Sequence, residues 1–213
     1  MLTRILLVSL ALGVSAAARA PARPPIVGLD HVAFKTSDVE AAQRFYGELL
    51  GYPVVQPRIA GAPLLVRVNK RQAIVLEPGL APDVDDRLSH IAFATSDLPA
   101  LKTYLDARGV ATRGPESRIC GRVGLRATDP DGNVVEFVQE DVIVAAPTAS
   151  PYVPLSTRLY HTGVAVRDEA KAHTFYREVL GLEEIWRVRS APSCSSMGFP
   201  TGSSPSGPRW SRR

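Results

Sequence analysis

From residue 30 the chain alternates with the period of a strand. In "DHVAFKT", His31, Ala33 and Lys35 fall on one face and Val32 and Phe34 on the other. The pattern then changes period. In "SDVEAAQRFYGELLG", Val39, Ala42, Phe45, Tyr46, Leu49 and Leu50 recur at helical spacing, which predicts a helix with one apolar face. Ser37 and Glu40 have capping-box spacing at its start, and Gly51 suits the left-handed position after its last turn. Three further strand-like runs follow, at about 53–59, 64–68 and 73–77. The unit reads βαβββ.

The chain repeats this unit. "LDHVAFKTSDVEAAQRFYGELLGY" from Leu29, "LSHIAFATSDLPALKTYLDARGV" from Leu88 and "LYHTGVAVRDEAKAHTFYREVLGL" from Leu159 share one opening. Each has a histidine at its third position (His31, His90, His161), an aspartate seven residues later (Asp38, Asp97, Asp168) and an aromatic fourteen later (Phe45, Tyr104, Phe175). Gly51, Gly109 and Gly181 close the helical parts, and the first and third copies match at a constant offset of 130. The second copy finishes with strands near 110–113, 121–128 and 134–139. The third copy supplies a strand from Leu159, a helix and one more strand-like run, "EEIWRVR", before a Ser-, Pro- and Gly-rich tail that cannot bury a core. Residues 26–79 and 88–140 are therefore two complete modules, 141–158 a linker, 159–189 an incomplete third module, and 190–213 a disordered or aberrant tail such as truncation or a frameshift would leave.

One residue breaks the pattern. "TDPDGNVVEFVQ" is a tight turn, in which Pro fixes φ while Gly and Asn tolerate positive φ, launching an apolar strand interrupted by Glu136. Either that carboxylate faces water, or the inner face of the strand needs it to bind something.

Composition changes this picture little. Hydrophobic content of 45% and charged content of 22% are ordinary for a soluble globular chain. Arg4, Arg19, Arg209, Arg212 and Arg213 sit in the two ends; taking these five from the formal charge of +4 leaves about −1, so no basic face points to nucleic acid. Residues 1–20 read as a secretory signal peptide: Arg4 before an apolar run from Ile5 to Val14, then Ala18-Arg19-Ala20 as a small-residue cleavage site. That run falls short of the ~20 residues that span a bilayer. The expectation is a secreted or periplasmic protein with no membrane contact after cleavage, or a membrane-anchored one if uncleaved. Cys120 and Cys194 could meet an oxidising compartment there, but the tail position of Cys194 argues against a disulfide.

Paired βαβββ modules that open with "HxAF" and, in the second, end in "DPDGNVVEF" resemble the vicinal oxygen chelate superfamily, which includes glyoxalase I, bleomycin- and fosfomycin-resistance proteins, methylmalonyl-CoA epimerase and extradiol dioxygenases. The resemblance implies an α+β fold, with the modules paired into a cupped, barrel-like mixed sheet, helices outside and a truncated third module. It also implies one divalent metal ion (Fe, Mn, Ni, Zn or Mg) held by His31, His90 and Glu136, with open positions for water and substrate oxygens. A ligand role would explain the charge within the last strand.

A fourth ligand is open. Counting 46 residues from each histidine reaches Glu77 and Glu136, whereas aligning the turns puts Val75 opposite Glu136. Strand period keeps 75 and 77 on one face. With Glu77 bound, the site would resemble a glyoxalase or epimerase, Glu77 also shuttling a proton beside a substrate carbonyl. Without it, the site resembles the ring-cleaving dioxygenases. A bleomycin-resistance-like protein that binds a small molecule without chemistry, and a non-functional fragment, are the alternatives.

Elsewhere ordinary roles suffice. His161 lacks a last strand in its module, and His173 faces solvent. Asp38 and Asp97 meet helix N-termini. Phe45, Tyr46, Tyr104, Phe175 and Tyr176 form helix faces packed on the sheet. Arg118 and Arg122 lie on a loop-to-strand segment that could hold an anionic substrate or simply be solvated, and nothing marks Cys120 as reactive. A small molecule is the expected partner, with room for a homodimer.

Overall fold

The computed structural model of the chain describes residues 20–56, 59, 61–117, 122–141 and 152–185. The first copy supplies β1 (Ile26–Thr36), α1 (Val39–Gln43), β2 (Val54–Val55), β3 (Leu64–Arg67) and β4 (Ala73–Pro78). The second supplies β5 (Leu88–Thr95), α2 (Leu98–Ala107), β6 (Thr112–Ser117), β7 (Val123–Thr128) and β8 (Val134–Gln139). The third supplies α3 (Glu169–His173). The signal-peptide reading (all but residue 20), Arg118, Cys120, Cys194 and the tail fall outside the described residues. Among the described residues, no helix is long and apolar enough to cross a membrane.

The eight strands form one open mixed sheet in the order β2-β3-β4-β1-β5-β8-β7-β6. Within each module the first and last strands pair in parallel, β1 with β4 and β5 with β8. The modules join where β1 and β5 pair antiparallel. Val32, the residue after the first histidine, sits directly opposite Ile91, the residue after the second. The copies are therefore related by an approximate two-fold axis through that pair.

Strand alternation separates the two faces. Leu64, Val66, Ile74 and Leu76 pack under α1, and Leu125, Ala127, Val135 and Phe137 pack with Leu98, Leu101, Tyr104 and Leu105 of α2. The intervening residues Ala33, Leu65, Ala73 and Val75 form a separate apolar cluster. His31, His90, Arg126 and Glu136 share that second face, the inside of the cup.

The helices start one residue later than the capping-box spacing predicts. Asp38, not Ser37, is the cap: its backbone is extended and its carboxylate accepts from Ala41 N at 2.8 Å. Asp97 and Asp168 repeat this with Ala100 N and Lys171 N. An aspartate there reaches the third free amide and puts its charge on the positive helix end. After five residues, α1 and α3 relax into π-helical turns (Arg44–Leu49 and Thr174–Val179), in which Leu50 N donates to Phe45 O and Leu180 N to Phe175 O. Gly51, Gly109 and Gly181 follow with φ of 77°, 72° and 65°, the left-handed geometry their spacing predicts.

The third copy departs from expectation at its first strand. Residues 159–166 form no strand. They lie over the turns of the other copies: Leu159 N donates to Gln72 Oε1, and Asn133 Nδ2 donates to Ala165 O. The alternation that suits "LYHTGVAV" to a sheet meets no neighbouring strand among the described residues, and side-chain amides take the backbone groups instead. The helix, by contrast, is integral to the core. Phe175 and Leu180 join the α2 cluster, and Tyr104 Oη donates to Val179 O at 2.9 Å. Phe45, at the same repeat position, is not packed as predicted: it is 47% exposed, whereas Phe175 is 6% exposed. The chain forms one compact unit up to Leu182; of the second unit, Glu183–Arg213, residues 183–185 are described and have no regular structure.

Candidate metal centre

The symmetric register of β1 and β5 places two imidazoles side by side. His31 pairs with Ala92 and His90 with Ala33, so the histidines lie diagonally across the Val32–Ile91 pair on one face. Their Nε2 atoms are 3.0 Å apart, with the rings edge to face. Glu136 enters from the next strand, since its register partner on β5 is Ala92. Its Oε2 lies 3.7 Å from His90 Nε2. One ligand atom from each of the three residues lies within 4.8 Å of the other two, and all three residues are buried.

Neighbouring groups orient these atoms. Asp30 Oδ1 faces His31 Nδ1 at 2.7 Å and is itself held by Arg122 Nη1 at 2.8 Å. Ser89 Oγ lies 3.3 Å from His90 Nδ1 and donates to Glu77 Oε2 at 2.6 Å. The carboxylate at His31 Nδ1 favours the Nδ1–H tautomer of that ring, which turns its Nε2 lone pair toward His90 Nε2. Metal–imidazole bonds of about 2.0–2.1 Å place two neighbouring ligand nitrogens about 3 Å apart, so the observed spacing suits a shared cation. Two imidazoles and one carboxylate also form the donor set of open-sided iron centres.

Glu77 stands apart from the group. Its Oε1 approaches Nδ1 of His90, on the far side of the ring, at 3.8 Å. The sheet register decides between the two alignments of the first module. On the second module's side, the row through His31 and Ala92 ends on Glu136 and then Arg126; its symmetric counterpart through His90 and Ala33 ends on Val75 and then Leu65. Val75, buried and unable to ligate, occupies the place equivalent to Glu136, while Glu77 pairs with Lys35 one strand repeat further out. His161 and His173 lie outside this cluster, His161 exposed and His173 beside Arg177.

Several supporting groups escape a reading of the sequence alone. Arg126 Nε donates to Glu136 Oε2 at 2.6 Å, supplying the buried carboxylate with a counter-charge. Its place was legible in part, because a hairpin closed by Asp129–Asn133 pairs residues symmetrically about the turn, 128 with 134 and 126 with 136. Asp30 carried no such signal. Arg122, read from sequence as solvated or substrate-binding, is largely buried and donates to Asp30 and to Gln139 O. The turn itself is closed by Asp129, which accepts from Asp131 N, Asn133 N, Asn133 Nδ2 and Tyr176 Oη. Burial pushes the Asp129 carboxyl up, but the hydrogen bonds from Asn133, Tyr176 and Asp131 together outweigh it and hold it below the usual range. The same burial and the neighbouring Asp129 push the Tyr176 phenol well above its ordinary value.

The family model for the glyoxalase/bleomycin resistance protein/dioxygenase superfamily matches residues 28–137 and 158–206. The second match extends past residue 189, where the sequence reading ends the third copy. No curated protein matches the chain by sequence. Among solved structures, the 2,3-dioxygenase LapB from Pseudomonas sp. KL28 aligns at TM-score 0.59 and 17% identity, covering 75% of this chain and 60% of that one. A catechol 2,3-dioxygenase aligns at 0.55 and 20% identity, covering 75% and 56%. Methylmalonyl-CoA epimerase from Mycobacterium tuberculosis aligns at 0.48 and 23% identity, covering 56% of this chain and 92% of that one. The chain thus spans little more than half the length of the two dioxygenases. With an open mixed sheet of paired βαβββ modules and most of its length matched, the chain belongs to the glyoxalase/bleomycin resistance protein/dioxygenase superfamily.

Proposed function

We propose that the chain is a metal-dependent enzyme that holds one divalent cation between His31, His90 and Glu136 and acts on a small oxygenated substrate. The observation that carries this is the convergence of three buried ligand atoms within 4.8 Å of one another. When bound, the cation would polarise substrate oxygens and neutralise charge that develops on them. The chain's own residues do the rest. Asp30 and Ser89 orient the rings, Arg126 holds one oxygen of Glu136, and the Ala33, Leu65, Ala73 and Val75 cluster gives the first half of the cup an apolar lining.

Val75 favours oxidative ring cleavage over glyoxalase-type chemistry, because it puts an aliphatic side chain where a fourth, proton-shuttling carboxylate would stand. A lyase or isomerase reading retains one support: Glu77, partly exposed and joined to Ser89, is a carboxylate near the site that could carry a proton. The signal-like residues 1–20 favour an exported protein.

Purified protein loaded anaerobically with Fe(II) should bind one ion per chain and consume oxygen with aromatic vicinal diols. The His31→Ala/His90→Ala variant should lose the ion. Full retention of the ion by that variant defeats the site. One-to-one ion binding, with oxygen-independent turnover of a carbonyl substrate, would favour the lyase reading.

A further inference from the structure

Each site histidine follows a residue that the strand register leaves over. Along β1, Leu29 pairs with Phe93 and His31 with Ala92, so Asp30 is the extra residue of a bulge. Along β5, His90 pairs with Ala33 and Leu88 with Phe34, so Ser89 is extra in the same way. Bulges turn a side chain out of the strict alternation, and here each extra residue reaches the Nδ1 of the following histidine instead of pointing to the opposite face. The two bulges are related by the approximate two-fold, yet their chemistry differs. Asp30 brings a charge, a 2.7 Å contact and an arginine behind it, and both acid and histidine are almost fully buried. Ser89 brings a neutral hydroxyl at 3.3 Å, already donating to Glu77.

We propose that Asp30, held by Arg122, is a positioning residue: it locks the Nδ1–H tautomer and the ring orientation of His31, making His31 the ligand that anchors the cation, while Ser89 does this only weakly for His90. The proposal rests on the cation site proposed above. A buried carboxylate accepting from one ring nitrogen raises the donor strength of the other and fixes where its lone pair points; losing such a partner typically lowers metal affinity 10–100-fold. A shared hydroxyl does neither to the same degree.

The test uses the full chain with Zn²⁺ as probe, measuring affinity by competition with a chelating dye and histidine tautomers by nitrogen NMR of the chelator-treated, Zn²⁺-free protein. Asp30→Ala should weaken binding by about 10–100-fold and leave His31 in mixed tautomers, while Ser89→Ala should weaken it less than about threefold. Asp30→Asn, which keeps the side-chain volume, should fall in between and guards against a folding defect in the alanine variant. Equal losses in Asp30→Ala and Ser89→Ala, or unchanged affinity and an unchanged His31 tautomer in both Asp30 variants, overturn the role of Asp30 alone. Failure of the unaltered protein to bind Zn²⁺ overturns the cation site and this inference together.

Discussion

Removing the guanidinium of Arg126 should leave a carboxylate stranded. Glu136 is 1% exposed, and its Oε2 takes a 2.6 Å bond from Arg126 Nε, whose side chain is 33% exposed. Breaking a fully buried ion pair by deleting one partner costs about 3–5 kcal/mol, because the remaining charge has lost both water and counter-charge. Since Arg126 is one-third in solvent, its loss should cost roughly 2–3 kcal/mol in the cation-free protein. For a domain of this size, that lowers Tm by roughly 5–10 °C. The opposite deletion is cheaper: with Glu136→Leu the arginine can turn its head to water, and about 1 kcal/mol is expected. The double variant should then be more stable than Arg126→Leu alone, a coupling that a double-mutant cycle reads directly. Urea unfolding of chelator-treated protein supplies the four stabilities. Saturation with a divalent cation at ~100 times its Kd should add about 2.7 kcal/mol to the unaltered protein and little to any variant lacking Glu136. If Arg126→Leu stays within about 0.5 kcal/mol of the unaltered protein, or costs less than Glu136→Leu, Glu136 is not the buried, charge-dependent group described above.

Further tests address the cup and its supports. Val75→Glu restores a carboxylate at the place equivalent to Glu136; it should destabilise the cation-free protein by roughly 1–3 kcal/mol and tighten Zn²⁺ binding on the order of tenfold, both measurable on one preparation. Phe175→Ala should cost about 3–4 kcal/mol and Phe45→Ala under about 1 kcal/mol, because the same repeat position is buried against α2 in one copy and half exposed in the other. Asp129→Asn should lose about 2 kcal/mol near neutral pH in chemical unfolding. Because the folded carboxyl is held below its unfolded value, that advantage is complete above the unfolded pKa and fades as pH falls through the folded one, so the gap to the unaltered protein should close in acid.

Much of this molecule was legible as sequence. The period-two and helical runs, the repeated His at one strand position and the "DPDGN" hairpin together mark two βαβββ modules, and the family resemblance they carry implies His31, His90 and Glu136 as site candidates. All of these are local signals, spaced by a strand, a helix or a turn. What the sequence could not decide depends on which strands become neighbours and in what register, because backbone pairing across the sheet leaves no periodic trace. The opposition of Val32 and Ile91 brings two histidines, 59 residues apart in the chain, to a 3.0 Å contact. The same register turns Asp30 and Ser89 onto ring nitrogens through bulges, and puts Val75 rather than Glu77 in line with His90. In the third copy the helix joins a core against α2, whereas residues 159–166 pair with no strand among the described residues. Local pattern and the family resemblance supplied the candidate residues; only non-local hydrogen bonding decided their distance, their orientation and the residue standing beside them in the first module.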